Sequence, residues 1–311
     1  MSEALALKLA NIKKSFKTRS NVVTALKDVN MEVKPGEIYG FAGPNGAGKS
    51  TTIKILTGLL RPDSGQAHVF GHPAGSRQAK QSIGFLPEVT LYHEFMTPLE
   101  LLSVHAALAG VPKKEVSARS EQALQKVGLW ERRASRLKEY SKGMKQRFGI
   151  AQAIVGAPKL LILDELTSGL DPGAQTDLLN LLQDLREQGM TIFFSSHHLR
   201  EIERICDSVA ILHEGVLQQA GTLDQVLGDE SRVFLRVRMS ASTPPETEGV
   251  VWERESDTFY TSSIKSEQTL PTLERLKPQL AEVHTVETRR QTLEELYADV
   301  TKKRDIEEVA N

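Results

Sequence analysis

Lys49 stands near the end of GPNGAGKST, the stretch from Gly43 to Thr51 that also holds Pro44, Asn45, Gly46, Ala47, Gly48 and Ser50. An ammonium group beside two hydroxyls, preceded by three glycines, is suited to cradling a polyphosphate. Glycines cost chain entropy, but they let the backbone turn its N–H groups inward toward phosphate oxygens. The spacing G-x-x-x-x-G-K-[ST] fits Gly43 to Ser50. In such a loop Lys49 reaches the outer phosphates as a point charge, and the Ser50 hydroxyl is a Mg²⁺ ligand. The start of the following helix adds its positive end. A glycine-rich turn with an incidental lysine is the competing reading. It is disfavoured by the apolar strand pattern EIYGFA before the loop and the helical pattern TTIKILTG after it.

A second group of reactive residues closes LLILDE, Leu160 to Glu165. An apolar strand ending in two acids places both at the carboxyl edge of a sheet, where ligands bind in α/β folds. Asp164 suits Mg²⁺ held through water, and Glu165 suits a general base that polarises an attacking water. Alone, the two acids read equally well as caps of the next turn. A third stretch, YSKGMKQR from Tyr140 to Arg147, has no purpose within one nucleotide site. Ser141 and Gly143 open a helical pattern, MKQRFGIAQAIV. Ser141 taken alone is an N-cap serine, although exposed N–H groups at a helix start also make an anion site.

The elements that must position these residues read as α/β. The first third alternates apolar and polar residues in LALKLANIKKSF and VNMEVKPGEIYGFAG, a strand pattern. From Pro98 to Val155 the period becomes helical, in LELLSVHAALAG and ARSEQALQKVGL. KLLILDE and MTIFFSSHH are continuous apolar runs of the kind found in buried parallel strands, with the amphipathic helix TDLLNLLQDLREQG between them. SVAILHEGVLQQAGT reads as a hairpin about Glu214 and Gly215. A linker is expected over Gly221 to Asp229. Beyond it, VFLRVRM, VVWERESDTFYTSSI, LPTLERLKPQLAE, HTVETRR and TLEELYADVTKKRD give two strands, a helix, a strand and a helix, with STPPETEG as a loop.

Composition narrows the function classes. The 311 residues are 40% hydrophobic and 25% charged, as expected of a globular protein, and the net charge of −1 gives no global reason to expect a nucleic-acid partner. The single cysteine, Cys206, excludes an internal disulfide, fits a reducing compartment and reads as a small buried hydrophobe. The opening MSEALALKLA reads as neither a signal peptide nor an anchor. No apolar run approaches the roughly 20 residues that span a bilayer, so any membrane role is expected to act through a partner.

In order, GPNGAGKST, YSKGMKQR, LLILDE, SGLD and SSH resemble the nucleotide-binding domain of an ABC ATPase, over about Leu5 to Thr222. The resemblance implies an α/β fold. It has a RecA-like P-loop core, an antiparallel β subdomain and a helical subdomain at about 89–156, all within residues 1–228. A small C-terminal α+β appendage, 229–311, is expected to regulate or dimerise. By the same resemblance YSKGM is the signature that reads LSGGQ elsewhere, so Ser141, Lys142 and Gly143 face the γ-phosphate of ATP on a second subunit. Asp171 of SGLD lies between the two sites, His197 is the switch histidine on the γ-phosphate, and Phe16 stacks on adenine. Phe16 alone is also an ordinary core or turn aromatic. The implied cofactors are ATP and Mg²⁺, held by Ser50, Asp164 and Glu88, and the implied first partner is a second copy of the chain.

The sequence departs from the family pattern at three positions. Glu88 replaces the usual glutamine; a carboxylate can ligate Mg²⁺, but it brings negative charge near phosphates. Leu166 stands in place of proline, and Lys142 replaces the first glycine of the signature. The signature resembles those of bacterial exporters, which implies a separate polytopic membrane permease and a peripheral place on the cytoplasmic face of the inner membrane. There Leu91, Tyr92, Phe95 and Met96 are expected either to receive a permease helix or to pack the helical subdomain. The alternative is a soluble ABC ATPase acting on ribosomes or DNA. Such proteins carry two nucleotide domains or a long coiled-coil insertion; this chain has one phosphate loop and no heptad run between its motifs.

Overall fold

The computed structural model describes residues 5–17, 21–228, 232–239, 243–247, 250–279 and 281–299. The chain divides into two compact units, Met1–Leu223 and Asp224–Asn311, a break earlier than the expected 228/229. The sequence readings at 1–4, at the end of the linker, at the edges of the STPPETEG loop and beyond residue 299 lie outside the described residues.

The first unit opens with β1 (Leu7–Lys17) and β2 (Val22–Val33), paired antiparallel. Leu7 and Leu9 point inward from β1 by period-two alternation, and an irregularity at Asn11, with φ +54°, shifts the register so that Ile12 is the next buried residue. The short strand β3 (Ile38–Ala42) is buried throughout. It leads through the glycine loop into α1 (Lys49–Leu56), followed by β4 (Ser64–Val69), β5 (His72–Pro73), the short α2 (Arg77–Gln81) and β6 (Ile83–Leu86). Three helices come next: α3 (Pro98–Leu108), α4 (Val116–Lys126) and α5 (Lys142–Ile154). The start of α3 is set by a capping box, in which Thr97 and Glu100 bond each other's backbone N–H, with Pro98 at the first helical position.

The chain returns to the sheet with β7 (Leu160–Asp164), α6 (Pro172–Glu187), β8 (Thr191–Ser196), α7 (Leu199–Ile205) and the hairpin β9 (Ser208–His213) with β10 (Val216–Thr222). The linker expected over Gly221–Asp229 is largely ordered structure instead. β10 runs to Thr222, and α8 (Leu223–Leu227) follows directly. The Leu223 N–H donates to the Asp207 carbonyl, which fixes the start of α8.

Two sheets result. One is antiparallel, in the order β2-β1-β4-β5; the other runs β10-β9-β3-β8-β7-β6, parallel except for the β10–β9 hairpin. Strands β3, β7 and β8 are buried on both faces, so their sequences are continuous apolar runs rather than alternating ones. One core joins the two sheets and α1 through Leu9, Leu26, Phe41, Ile53, Ile162 and Phe193, and the Phe41 and Phe193 rings lie 5.3 Å apart.

The second unit contains β11 (Arg232–Arg238), β12 (Glu253–Arg254), β13 (Phe259–Lys265), α9 (Thr269–Leu276) and β14 (Glu282–Arg289), with a further helix over 293–299. The antiparallel sheet has the order β12-β13-β11-β14. Val233, Leu235 and Val237 alternate onto one face, and Leu273 and Leu276 of α9 pack there with Tyr260 and Ile264. The stretch VVWERESDTFYTSSI, expected as one strand, is two strands. A tight turn separates them, in which the Glu255 N–H donates to the Phe259 carbonyl.

Candidate active site

The sheet order places the reactive residues. β8 lies between β3 and β7, with Ala42 beside Ser196 and Asp164 beside Ser195. Three neighbouring parallel strands thus deliver the glycine loop, His197 and the pair Asp164–Glu165 at their carboxyl ends. β6 continues the row beyond β7 and leads to Glu88, which is exposed.

The glycine loop has a backbone that other residues cannot adopt. Gly43 has φ +155°, and a methyl there would lie 2.3 Å from the Leu212 carbonyl oxygen; Gly48 has φ +111°, and a methyl there would lie 2.6 Å from that of Ala25. Gly48 makes no side-chain cap for α1, so the first-turn N–H groups of that helix are available donors for an anion. The turn of the β9–β10 hairpin supports the loop from behind: the Gly215 N–H donates to the Ala47 carbonyl at 2.9 Å, and the Lys27 N–H donates to the Gly215 carbonyl at 2.7 Å.

The charged side chains meet beneath the loop. Lys49 Nζ donates to the carbonyls of Gly43 at 2.6 Å and Pro44 at 3.2 Å. It also lies 3.1 Å from Glu165 Oε1, facing it as a charge rather than as an aligned donor. His197 Nδ1 is 2.6 Å from Glu165 Oε2. Lys49 and Glu165 are 6% and 8% exposed, so water screens this attraction little. Glu165 itself has φ +51°, an uncommon conformation for a residue with a Cβ and one that costs about 1–3 kcal/mol. Ser195 holds it there: its hydroxyl donates to Asp164 Oδ1 at 2.6 Å and accepts the Glu165 N–H at 3.2 Å.

The remaining expected residues are placed as follows. Ser141 caps α5 and accepts the Met144 N–H. A methyl on Gly169 would fall 2.3 Å from Lys142 Nζ, and one on Gly143 would touch Ala174 at 3.4 Å, so the YSKGM and SGLD segments lie against each other within the chain. Asp171 caps α6 through the Ala174 N–H. Phe16 is 40% exposed near the end of β1, with the Lys14 ammonium 5.7 Å from its ring centre. The group Leu91, Tyr92, Phe95 and Met96 divides. Tyr92 donates to the Lys145 carbonyl and meets Phe148 edge-on, whereas Leu91 and Phe95 are 93% and 79% exposed.

Several residues of this network were not found from the sequence. Ser195, Ser196, Thr167 and Glu201 form a buried layer behind the acids, and Gly215 supports the phosphate loop. Two serines on a buried strand were the available signal, since a buried hydroxyl needs a partner. Among the described residues no three His, Cys, Asp or Glu side chains form a metal cage, and no helix is long and apolar enough to cross a membrane.

A phosphate loop, a strand-end acid pair and a histidine, delivered by adjacent parallel strands, define an ATPase of the P-loop class. The ABC transporter family model matches residues 26–168. Over 210 residues the chain is 43% identical to an uncharacterized ABC transporter ATP-binding protein of Synechocystis, a match covering 67% of this chain and 59% of that protein's length. It is 37% identical over 236 residues to the linearmycin resistance ATP-binding protein of Bacillus subtilis, covering 74% of this chain and 75% of that one. A solved ATP-binding subunit of an ABC transporter superposes with a TM-score of 0.62 at 34% identity, covering 71% of this chain and 91% of that structure. The chain belongs to the ABC transporter ATP-binding proteins: it is an ATP-binding and ATP-hydrolysing subunit with the RecA-like fold of that family.

Proposed function

We propose that this subunit powers export through a separate polytopic membrane permease, working as a head-to-tail homodimer. The observation that carries the hydrolytic part is the meeting of Lys49 and His197 on the two oxygens of the Glu165 carboxylate. A carboxylate so oriented is poised to polarise a water, Lys49 to bind the β- and γ-phosphates, and His197 to sense the γ-phosphate. The loop N–H groups of residues 45–51 wrap the triphosphate, and Phe16 offers a ring face to the adenine.

Mg²⁺ fits the donors. Ser50, Asp164 and Glu88 offer only oxygen, and the lack of a protein cage among the described residues suits an ion held largely by water and phosphate. When bound, the ion neutralises charge on the transferring phosphoryl group.

In the dimer Ser141, Lys142, Gly143 and Asp171 of one copy complete the site of the other across an isologous interface. ATP closes the dimer because it contacts both copies, and loss of the γ-phosphate lets it open. The resistance role in the name of the Bacillus relative supports export. Exposed Leu91 and Phe95 offer apolar surface to a permease helix, and the protein sits as a peripheral subunit on the inner face of the cytoplasmic membrane.

Glu165→Gln tests this reading. Turnover is expected to fall roughly 10²–10⁴-fold while ATP still binds. With ATP the variant should elute as a dimer and retain a polytopic membrane protein when purified from native membranes. Hydrolysis near the parent rate removes Glu165 from the role of base.

A further inference from the structure

Glu201 lies in the first turn of α7 and is 8% exposed. One oxygen of its carboxylate, Oε2, accepts two hydroxyls: Thr167 Oγ1 at 2.7 Å and Ser196 Oγ at 3.0 Å. These hydroxyls come from the two segments that bear the reactive groups. Thr167 lies two residues after Glu165, in the turn that leaves β7. Ser196 lies directly before His197, at the end of β8. The Ser196 hydroxyl has one proton, which it gives to Glu201; its oxygen then accepts the His198 N–H at 2.9 Å. That bond closes the backbone around His197 from both sides.

The neighbouring serine does complementary work. Successive side chains of a strand point to opposite faces. Ser195 therefore serves Asp164 and the Glu165 N–H, while Ser196 turns to Glu201. A purely packing role does not account for a carboxylate at position 201. Leu199, Ile202 and Ile205 already bury the apolar face of α7, and a buried acid is costly unless hydrogen-bonded.

We propose that Glu201 is a positioning residue for ATP hydrolysis. Its carboxylate clamps the turn that carries Glu165 to the strand end that carries His197, and so maintains the 2.6 Å contact between the two side chains. The inference rests on the reading of Glu165 and His197 as the hydrolytic pair. Glu201 touches neither nucleotide nor water in this role.

The test is steady-state ATPase kinetics of the full chain. Glu201→Ala is expected to lower kcat by about 10- to 100-fold, the size of effect produced by misplacing a reacting group. KM for ATP should stay within about twofold, because the phosphate loop is untouched. Glu201→Gln keeps an oxygen that accepts both hydroxyls and should recover most of kcat. An unchanged kcat in Glu201→Ala overturns the proposal, as does a Glu201→Gln variant as impaired as Glu201→Ala, or a rise in KM that accounts for the loss. Should Glu201→Ala fail to fold, Ser196→Ala and Thr167→Val each remove one arm. Both are expected to lower kcat, and parent-like kcat in both overturns the clamp. Glu165→Gln run alongside separates the two failures: if that variant hydrolyses normally, the underlying assignment of the pair has failed.

Discussion

Lys49 is held by two loop carbonyls and faces Glu165, all in a nearly water-free setting. Lys49→Ala removes the positive charge meant for the phosphates and leaves the Glu165 carboxylate buried with His197 alone. The expected loss is about 2–5 kcal/mol of ATP binding, the range for truncating one member of a buried charge pair. Titration with a fluorescent ATP analogue measures it, and unchanged affinity would count against the phosphate-loop assignment. Cys206 is a simpler case. Burial pushes its thiol well above the ordinary value, with Asp207 and Glu37 adding to the shift. The reactive thiolate is therefore scarce near neutral pH. Native protein at pH 8 should resist iodoacetamide and react promptly once denatured; rapid native alkylation, followed by mass spectrometry, contradicts this. The residues of the loop and Asp164–Glu165 were legible because their types and spacing are dictated by phosphate chemistry. Glu201 was not, because an acid in LREIER reads as the solvated face of a helix, and only burial shows otherwise.

Among the elements, the β9–β10 hairpin has the least obvious part. Its turn was readable from Glu214 and Gly215 between two apolar runs, since Gly215 adopts φ +77°. Its hydrogen bond to Ala47 was not readable, because the two segments are far apart in the chain and meet only through the order β10-β9-β3. A methyl on Gly215 would lie 2.6 Å from the Ala25 carbonyl oxygen. Gly215→Ala should therefore destabilise the fold by about 1–3 kcal/mol, the range for strain at a special backbone position, and raise KM for ATP by loosening the loop. Thermal melts check the first part and steady-state ATPase kinetics the second; an unshifted melt shows that the turn can relax. The strand order as a whole was likewise invisible to periodicity. Alternation and apolar runs identify strands, but they do not say which strand lies beside which.

At the scale of the whole molecule, Lys49, Glu165 and His197 all belong to the first unit, and the second is a compact unit of its own. It has its own apolar core, centred on Val233, Leu235, Val237, Tyr260 and Ile264. Removing residues 229–311 is expected to leave ATP binding intact while weakening dimerisation or coupling to the permease. Light scattering with ATP and a transport assay read the two effects, and the regulatory assignment fails if both survive deletion. The α+β character of this unit was legible from alternation followed by a helical period, whereas the split of one expected strand into β12 and β13 was not. The position of β8 has a further consequence, for the order of biosynthesis. The strand that joins the glycine loop to the acids is made after β3, β6 and β7, so Ile38 and Leu161 must both wait for Ile192. A nascent chain that ends before β8 has its phosphate loop and its acids but lacks the strand that pairs with both β3 and β7. Closing such distant segments is slow, and β9 and β10 must still follow before the sheet is complete. The site is therefore expected to assemble late in synthesis, once β8 has left the ribosome.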